Sequence, residues 1–270
     1  DYFARLGRVL SEGRAVRDVL VLHPITTGWT MVGQSEETVA LANQYSERLN
    51  AFIRAALATH YDFDLGDEML MAYEAAVVGE TLRVGQAAYR VVVIPPETHT
   101  LLASTVDLLE RFLAAGGAVI AVAPTPTMIE GREDARVQDL LRHEGVAVLD
   151  GRAGLAAALE ARLRRRVSLR TVEGQEVASV LYMQRALDGG DQAYMLFNGD
   201  RETGYDLDVA LEGAGRLEHW DALTGEIRPV PAEARDGRLH FRTHLGPAGS
   251  ALYVVDPAGE PAIAAAEPVR

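Results

Sequence analysis

A chain of 270 residues with 48% hydrophobic and 24% charged side chains has the make-up of folded globular protein rather than of a disordered segment, and its length suits two domains with separate cores. Its 39 acidic against 26 basic residues leave a formal net charge of −13, which repels nucleic acid and anionic membrane surfaces but not neutral ligands such as sugars. With no cysteine there is no disulfide, thiolate metal site or cysteine nucleophile, and the compartment stays open with the cytoplasm preferred.

Taken in chain order, Tyr2, Phe3, Leu6, Val9 and Leu10 stand at helical spacing without an N-terminal approach of their own, so the expectation is a segment cut from something longer. After Gly13, the apolar run at residues 18–25 reads as a first strand buried on both faces of a parallel sheet. Ser35 or a neighbour caps a long amphipathic helix carrying Val39, Leu41, Ala42, Leu49, Phe52, Ile53 and Leu57, ending near His60. Residues 61–71 read as acidic and irregular. Thr81, Leu82, Val84 and Gly85 suggest a hairpin, and residues 89–95 a buried strand.

A helix from about His99 to Ala115 is stopped by Gly116 and Gly117. Then come a strand at 118–123, a helix at 134–143, a strand at 146–149 and a helix at 153–165. This alternation with short connections predicts an α/β domain with a doubly wound parallel sheet over residues 14–167. From Ser168 the period changes. Short apolar runs are separated by turn clusters at Asp188-Gly-Gly-Asp, Asn198-Gly-Asp, Glu212-Gly-Ala-Gly, Leu223-Thr-Gly-Glu, Asp236-Gly and Gly246-Pro-Ala-Gly, which predicts an antiparallel β-sandwich over 168–258. Residues 259–270, rich in Ala, Pro and Glu, read as a tail. The apolar runs, such as residues 114–123, stop short of the roughly 20 residues that span a bilayer, and the start lacks a signal-peptide pattern.

The first candidate site is the end of the first strand, the usual ligand crevice of a parallel sheet, with His23 and Trp29. Trp29 either stacks on a sugar face or packs against a neighbouring domain, and His23 either meets a ligand or caps the strand. Thr27, Gly28 and Thr30 match a flavodoxin phosphate loop weakly, because Ile25 stands where the first hydroxyl belongs. The second is the cluster Asp62, Asp64, Asp67 and Glu68, whose carboxylates could pair as acid and base, bind a hard cation, hold sugar hydroxyls, or simply mark a solvated loop or helix start. The basic run at 162–166 reads as a solvated face or an interdomain contact. No Gly-x-Ser-x-Gly elbow, His-Glu-x-x-His helix or Gly-x-Gly-x-x-Gly loop is present, so neither cofactor nor metal is expected.

Residues 1–25, the acidic cluster at 62–68, Val84 and Gly85 with the strand at 89–95, and residues 112–119 resemble the segment after the catalytic barrel in multidomain glycoside hydrolases of the rhamnosidase-like and β-galactosidase-like groups. The likeness continues through Tyr194-Met-Leu-Phe-Asn198, Glu218-His-Trp-Asp and the run ending in Val255. It implies a flavodoxin-like domain similar to class I glutamine amidotransferases, the trimerisation domain of β-galactosidases, followed by a β-sandwich. Residues 1–13 would then be a remnant helix of a preceding barrel. The amidotransferase nucleophile would fall near Ala123 and Thr125, and without a cysteine that activity is excluded.

The resemblance implies a non-catalytic accessory region whose partners are a missing N-terminal catalytic barrel, carbohydrate and further copies of itself, with His23, Trp29, Asp62, Asp64, Asp67 and Glu68 facing a sugar site. The alternatives are a free-standing flavin- or carboxylate-dependent enzyme and a pure oligomerisation module.

Overall fold

In the computed structural model, residues 1–262 are described. They form two compact units, one of Arg17–Arg164 and one joining Asp1–Val16 to the chain from Arg165 onward. Part of the expected tail, residues 263–270, lies outside the described residues. The chain opens with α1 (Tyr2–Ser11) and β1 (Arg14–Ala15), both in the second unit.

The first unit runs β2 (Val19–His23), α2 (Ile25–Trp29), α3 (Glu36–Leu57), β3 (Phe63–Asp67) and α4 (Glu68–Glu74). Three antiparallel strands follow: β4 (Ala75–Val78), β5 (Thr81–Val84) and β6 (Ala87–Tyr89). The chain continues through β7 (Val91–Ile94), β8 (Thr100–Leu101), α5 (Ala103–Ala114) and β9 (Ala118–Val122). It closes with β10 (Met128–Ile129), β11 (Arg132–Glu133), α6 (Ala135–Leu141), β12 (Val146–Leu149) and α7 (Leu155–Glu160).

The central sheet is all parallel, in the order β12-β9-β7-β2-β3. Its strands read as unbroken apolar runs because both faces are covered. Leu20, Leu22, Val92, Ile94, Val119 and Ala121 pack with Val106, Leu109 and Phe112 of α5 and with Val137 and Leu140 of α6. Val19, Val21, Val91, Val93, Ile120 and Val122 pack with Phe52 and Ala56 of α3 and Leu155 and Leu159 of α7. Ser35 caps α3, its hydroxyl accepting from the Thr38 amide at 3.2 Å. Gly117 is needed for packing, since a Cβ there would come within 2.2 Å of the Phe112 ring.

The main departure from the sequence reading lies at residues 61–71, which form regular structure: edge strand β3 and the start of α4. Carboxylates at four of seven positions hide a strand from any hydrophobic pattern. The hairpin near Gly85 is a three-stranded sheet, and the last predicted helix is shorter, with α7 ending at Glu160.

The second unit continues with β13 (Val167–Thr171), β14 (Val180–Ala186), β15 (Gln192–Asn198), β16 (Tyr205–Glu212) and β17 (Arg216–Trp220). Then come β18 (Ile227–Val230), β19 (Glu233–Arg235), β20 (Arg238–Leu245) and β21 (Ser250–Asp256). They build a sheet β1-β14-β15-β21-β17-β18 and a sheet β13-β16-β20-β19, a sandwich-like pair. Both sheets share a core in which Tyr194, Leu196 and Val255 of one meet Leu169, Leu207 and Leu239 of the other. Each of the six predicted turn clusters falls between consecutive strands. Helix α1 buries Leu6 and Val9 against Ala193, Leu252 and Val254 on the outer side of the larger sheet, and Arg14 of β1 pairs with Ala186. The units divide at 16/17 and 164/165.

Candidate functional site

In a doubly wound sheet the ligand crevice lies beyond the carboxyl ends of the strands, where successive connections leave in opposite directions. Here that point falls between β2 and β7, neighbours in the parallel sheet. The chain leaving β2 passes His23 and Pro24 and winds into the short helix α2, which places Trp29 on its last turn with 52% of its surface exposed. His23 is half-buried and stands in register with Asp67 at the end of β3.

The hydroxyls of the loop are engaged inside the unit. Thr27 is fully buried and accepts from the His99 and Thr100 amides at 3.0 and 3.2 Å, while its own hydroxyl donates to the Thr100 carbonyl at 3.3 Å. Thr26 donates to Glu68 at 2.5 Å. Thr30 donates to the Thr27 carbonyl at 2.7 Å. A phosphate-wrapping loop needs such hydroxyls and amides turned toward the ligand. In this loop they knit α2 to the segment before α5 instead.

The acidic cluster is divided by the geometry of its strand. Between Asp62 and Asp67 a strand at ordinary pitch rises by about 17 Å. Asp62 and Asp64 therefore serve the amino end of β3 and Asp67 and Glu68 its carboxyl end. At the amino end, Arg17 spans both carboxylates, with Nε on Asp62 and Nη1 on Asp64 at 2.8 Å each, and the Tyr89 hydroxyl donates to Asp64 at 2.9 Å. Burial pushes the Asp62 carboxyl above its ordinary value, and the Arg17 charge and hydrogen bond pull it back only in part. Burial of Arg17 works against its charge but is outweighed by Asp62 and Asp64, which hold the guanidinium above its ordinary value.

At the carboxyl end, Asp67 caps α4 by accepting from the Met69 and Leu70 amides at 2.9 and 3.0 Å. Glu68, only 1% exposed, accepts from the Leu102 amide at 2.8 Å through its second oxygen. Leu102 precedes α5 and has no capping side chain of its own, so a carboxylate from α4 supplies one of the acceptors that helix lacks. All four carboxylates thus have structural partners, divided between the two ends of β3. Among the described residues no group of three or more His, Asp or Glu side chains is placed to hold a metal ion, and no helix is long and apolar enough to cross a membrane.

This edge leaves several large apolar side chains open to solvent. Besides Trp29, Val32 is exposed, and α4 turns Met69, Leu70 and Tyr73 outward, Tyr73 at 85%. Sequence reasoning missed the α4 surface because it treated residues 61–71 as irregular. The signal available was Asp67 as a cap followed by the good helix formers Glu68, Met69, Leu70 and Met71.

No protein-family model matches the chain, and no curated protein matches it. Among solved structures, the chain is similar to a rhamnosidase from Novosphingobium sp. PP1Y, with a TM-score of 0.70 and 18% identity over 99% of this chain and 25% of that one. It is similar to a β-galactosidase from Bacillus circulans sp. alkalophilus, with a TM-score of 0.59 and 13% identity over 94% of this chain and 44% of that one. An α-L-fucosidase isoenzyme 2 from Paenibacillus thiaminolyticus gives a TM-score of 0.58 and 12% identity over 94% of this chain and 51% of that one. The chain thus spans between a quarter and about half of the length of these neighbours. At such identities the likeness is one of fold: an α/β layer and a sandwich-like β unit that glycoside hydrolases of several specificities also carry.

Proposed function

We propose that this chain is a non-catalytic accessory region of a glycoside hydrolase, contributing to assembly and to the wall of a sugar site on a catalytic barrel elsewhere in the parent protein. The α/β unit would be of the flavodoxin-like, amidotransferase-like kind found as the trimerisation domain of β-galactosidases. Its strand order, 2-1-3-4-5 by appearance, supports that assignment. The observation that carries the functional reading is the division of the acidic cluster. Its carboxylates are bound to Arg17, Tyr89, Thr26 and backbone amides, while the exposed surface of the same edge offers an aromatic ring, Trp29, suited to packing on a sugar face. The neighbours' much greater length supports a larger parent.

The wall role is tested by Trp29→Ala in the parent enzyme. The expected result is a rise in KM for an aryl glycoside with kcat retained, since an indole that packs on bound sugar contributes uniform binding. An unchanged KM overturns that role. The outward face of α4 favours a second reading, a module for oligomerisation alone. Light scattering of the chain together with sugar titration of its tryptophan fluorescence separates the two: assembly without any sugar response supports the second.

A further inference from the structure

The outer face of the four-stranded sheet carries a groove of about 630 Å³ that none of the preceding chemistry uses. Alternation along the strands turns Leu207, Val209, Leu239 and Phe241 into the core and leaves Asp208, Ala210, Arg238, His240 and Arg242 on the other side. Register then builds the groove. Ser168, Ala210, His240 and Glu233 stand side by side across the four strands, and the short Ala210 forms a floor. On one side stand Arg170, Asp208 and Arg242, and on the other Arg238 and Arg235.

Four guanidinium groups thus line a groove holding two carboxylates, a local reversal of sign in a chain of net charge −13. Asp208 binds Arg242 at 2.8 Å, and Arg170 binds Glu176 at 3.1 Å, outside the groove. Arg235 lies 3.3 Å from Nδ1 of His240. Buried Nε of Arg238 has no acceptor in the protein. That atom is closed to solvent, so a ligand meets Arg238 through the rest of its guanidinium; neither Arg238 nor Arg235 is ion-paired among the described residues, and a guanidinium fork is the natural complement of an oxyanion. Burial, together with Arg235 and Arg238, holds His240 below its ordinary value, with Glu233 and Asp236 offsetting the two cations only in part.

We propose that this groove binds an anionic saccharide, its oxyanion group on Arg238 and Arg235 and its hydroxyls on Ser168, Glu233 and Asp208. The mixture of cations with carboxylates and a hydroxyl fits a ligand that is charged at one point and hydroxylated elsewhere. The chain's overall negative charge disfavours a nucleic-acid backbone. The sugar half of the proposal rests on the glycoside-hydrolase reading, whereas the anion half stands on the groove alone.

The test is a titration of the isotopically labelled chain with digalacturonate, galactose 6-sulfate, lactose and inorganic sulfate, followed at the Ala210 and His240 amides. Saturable shifts with at least one of the two acidic sugars are expected, and which one responds identifies the oxyanion as carboxylate or sulfate. Lactose should give none and inorganic sulfate only a weaker response. Arg238→Gln should weaken the acidic sugar by about tenfold or more, the loss of one charge-assisted hydrogen bond. Should that variant fail to fold, the exposed Arg235→Gln serves in its place and should weaken binding in the same direction.

No shift with either acidic sugar, an equal response to lactose, an affinity untouched by the variant, or inorganic sulfate binding as tightly as the sugars overturns the proposal. None of these readouts involves turnover, so they stand apart from any failure of the accessory-region reading.

Discussion

Glu68 accepts the Thr26 hydroxyl at 2.5 Å, and this single contact joins the helix after the first parallel strand to the helix after the second. With its other oxygen on Leu102, the same carboxylate also reaches the start of α5. Truncation in Glu68→Ala would leave the partly buried Leu102 amide without its acceptor and the Thr26 hydroxyl with only the longer bond to the Thr100 carbonyl at 3.3 Å, at a cost of about 2–4 kcal/mol with the cavity included. Glu68→Gln keeps an acceptor and should cost less. Denaturant unfolding of the two variants checks both the size and the order.

Arg17 holds two carboxylates at the amino end of β3, with the Asp62 side chain 10% exposed and that of Asp64 34% exposed. Arg17→Gln should destabilise the α/β unit by about 2 kcal/mol, less than for a fully buried pair because Asp64 keeps partial hydration. Asp62 already titrates above its ordinary value because it is buried, and loss of the guanidinium removes what pulls it down. In the variant the Asp62 carboxyl should therefore titrate still higher by carbon-detected NMR. A midpoint that stays put or falls contradicts the pairing.

How far the sequence spoke depended on where each side chain found its partner. Val19, Leu20, Val21 and Leu22 announced a doubly buried strand because hydrophobic burial leaves its mark in the run itself. Turns such as Asp236-Gly were legible for the same local reason: Asp236 and Gly237 both adopt positive φ there. Asp62, Asp64 and Glu68 were not, because what decides their role lies at Arg17, Tyr89, Thr26 and Leu102, well away in sequence. Four carboxylates in seven residues look like one cluster in a string and become two separate structural devices on a strand. The Arg-lined groove was equally hidden, since it exists only through the register of four strands. Helix α1 showed its amphipathic spacing plainly, while the side chains that receive Leu6 and Val9, those of Leu187, Ala193, Leu252 and Val254, lie far along the chain.

Tyr194 is fully buried in the sandwich core, where its hydroxyl donates to the Glu212 carbonyl at 2.6 Å and accepts from Gln184 at 2.9 Å. Tyr194→Phe should cost about 1–2 kcal/mol, the loss of a buried hydrogen bond that leaves the Gln184 amide and the carbonyl short of a partner. Calorimetric melting measures it, and a neutral substitution would contradict the bonding described.

Asp200 is held below the ordinary carboxylate value by the Glu202 and Thr203 amides and the Tyr205 hydroxyl. A depressed folded-state pKa gives stability that is fully present above the unfolded value, near pH 4, and is lost as pH falls through the lower folded value. Asp200→Asn should therefore melt below the parent at pH 7, and the gap should narrow as the pH is taken below about 4. Melting curves across that range check the sign, and a gap that widens in acid contradicts it.

The most direct measurement is turnover of a panel of aryl glycosides by the purified chain alone and by the parent enzyme that carries it. Hydrolysis by the parent with none by the chain is the result expected of carboxylates wholly committed to Arg17, Thr26, Tyr89 and backbone amides. Glycoside cleavage by the isolated chain, abolished by substitution of Asp62 or Glu68 in a variant that still folds, would contradict it.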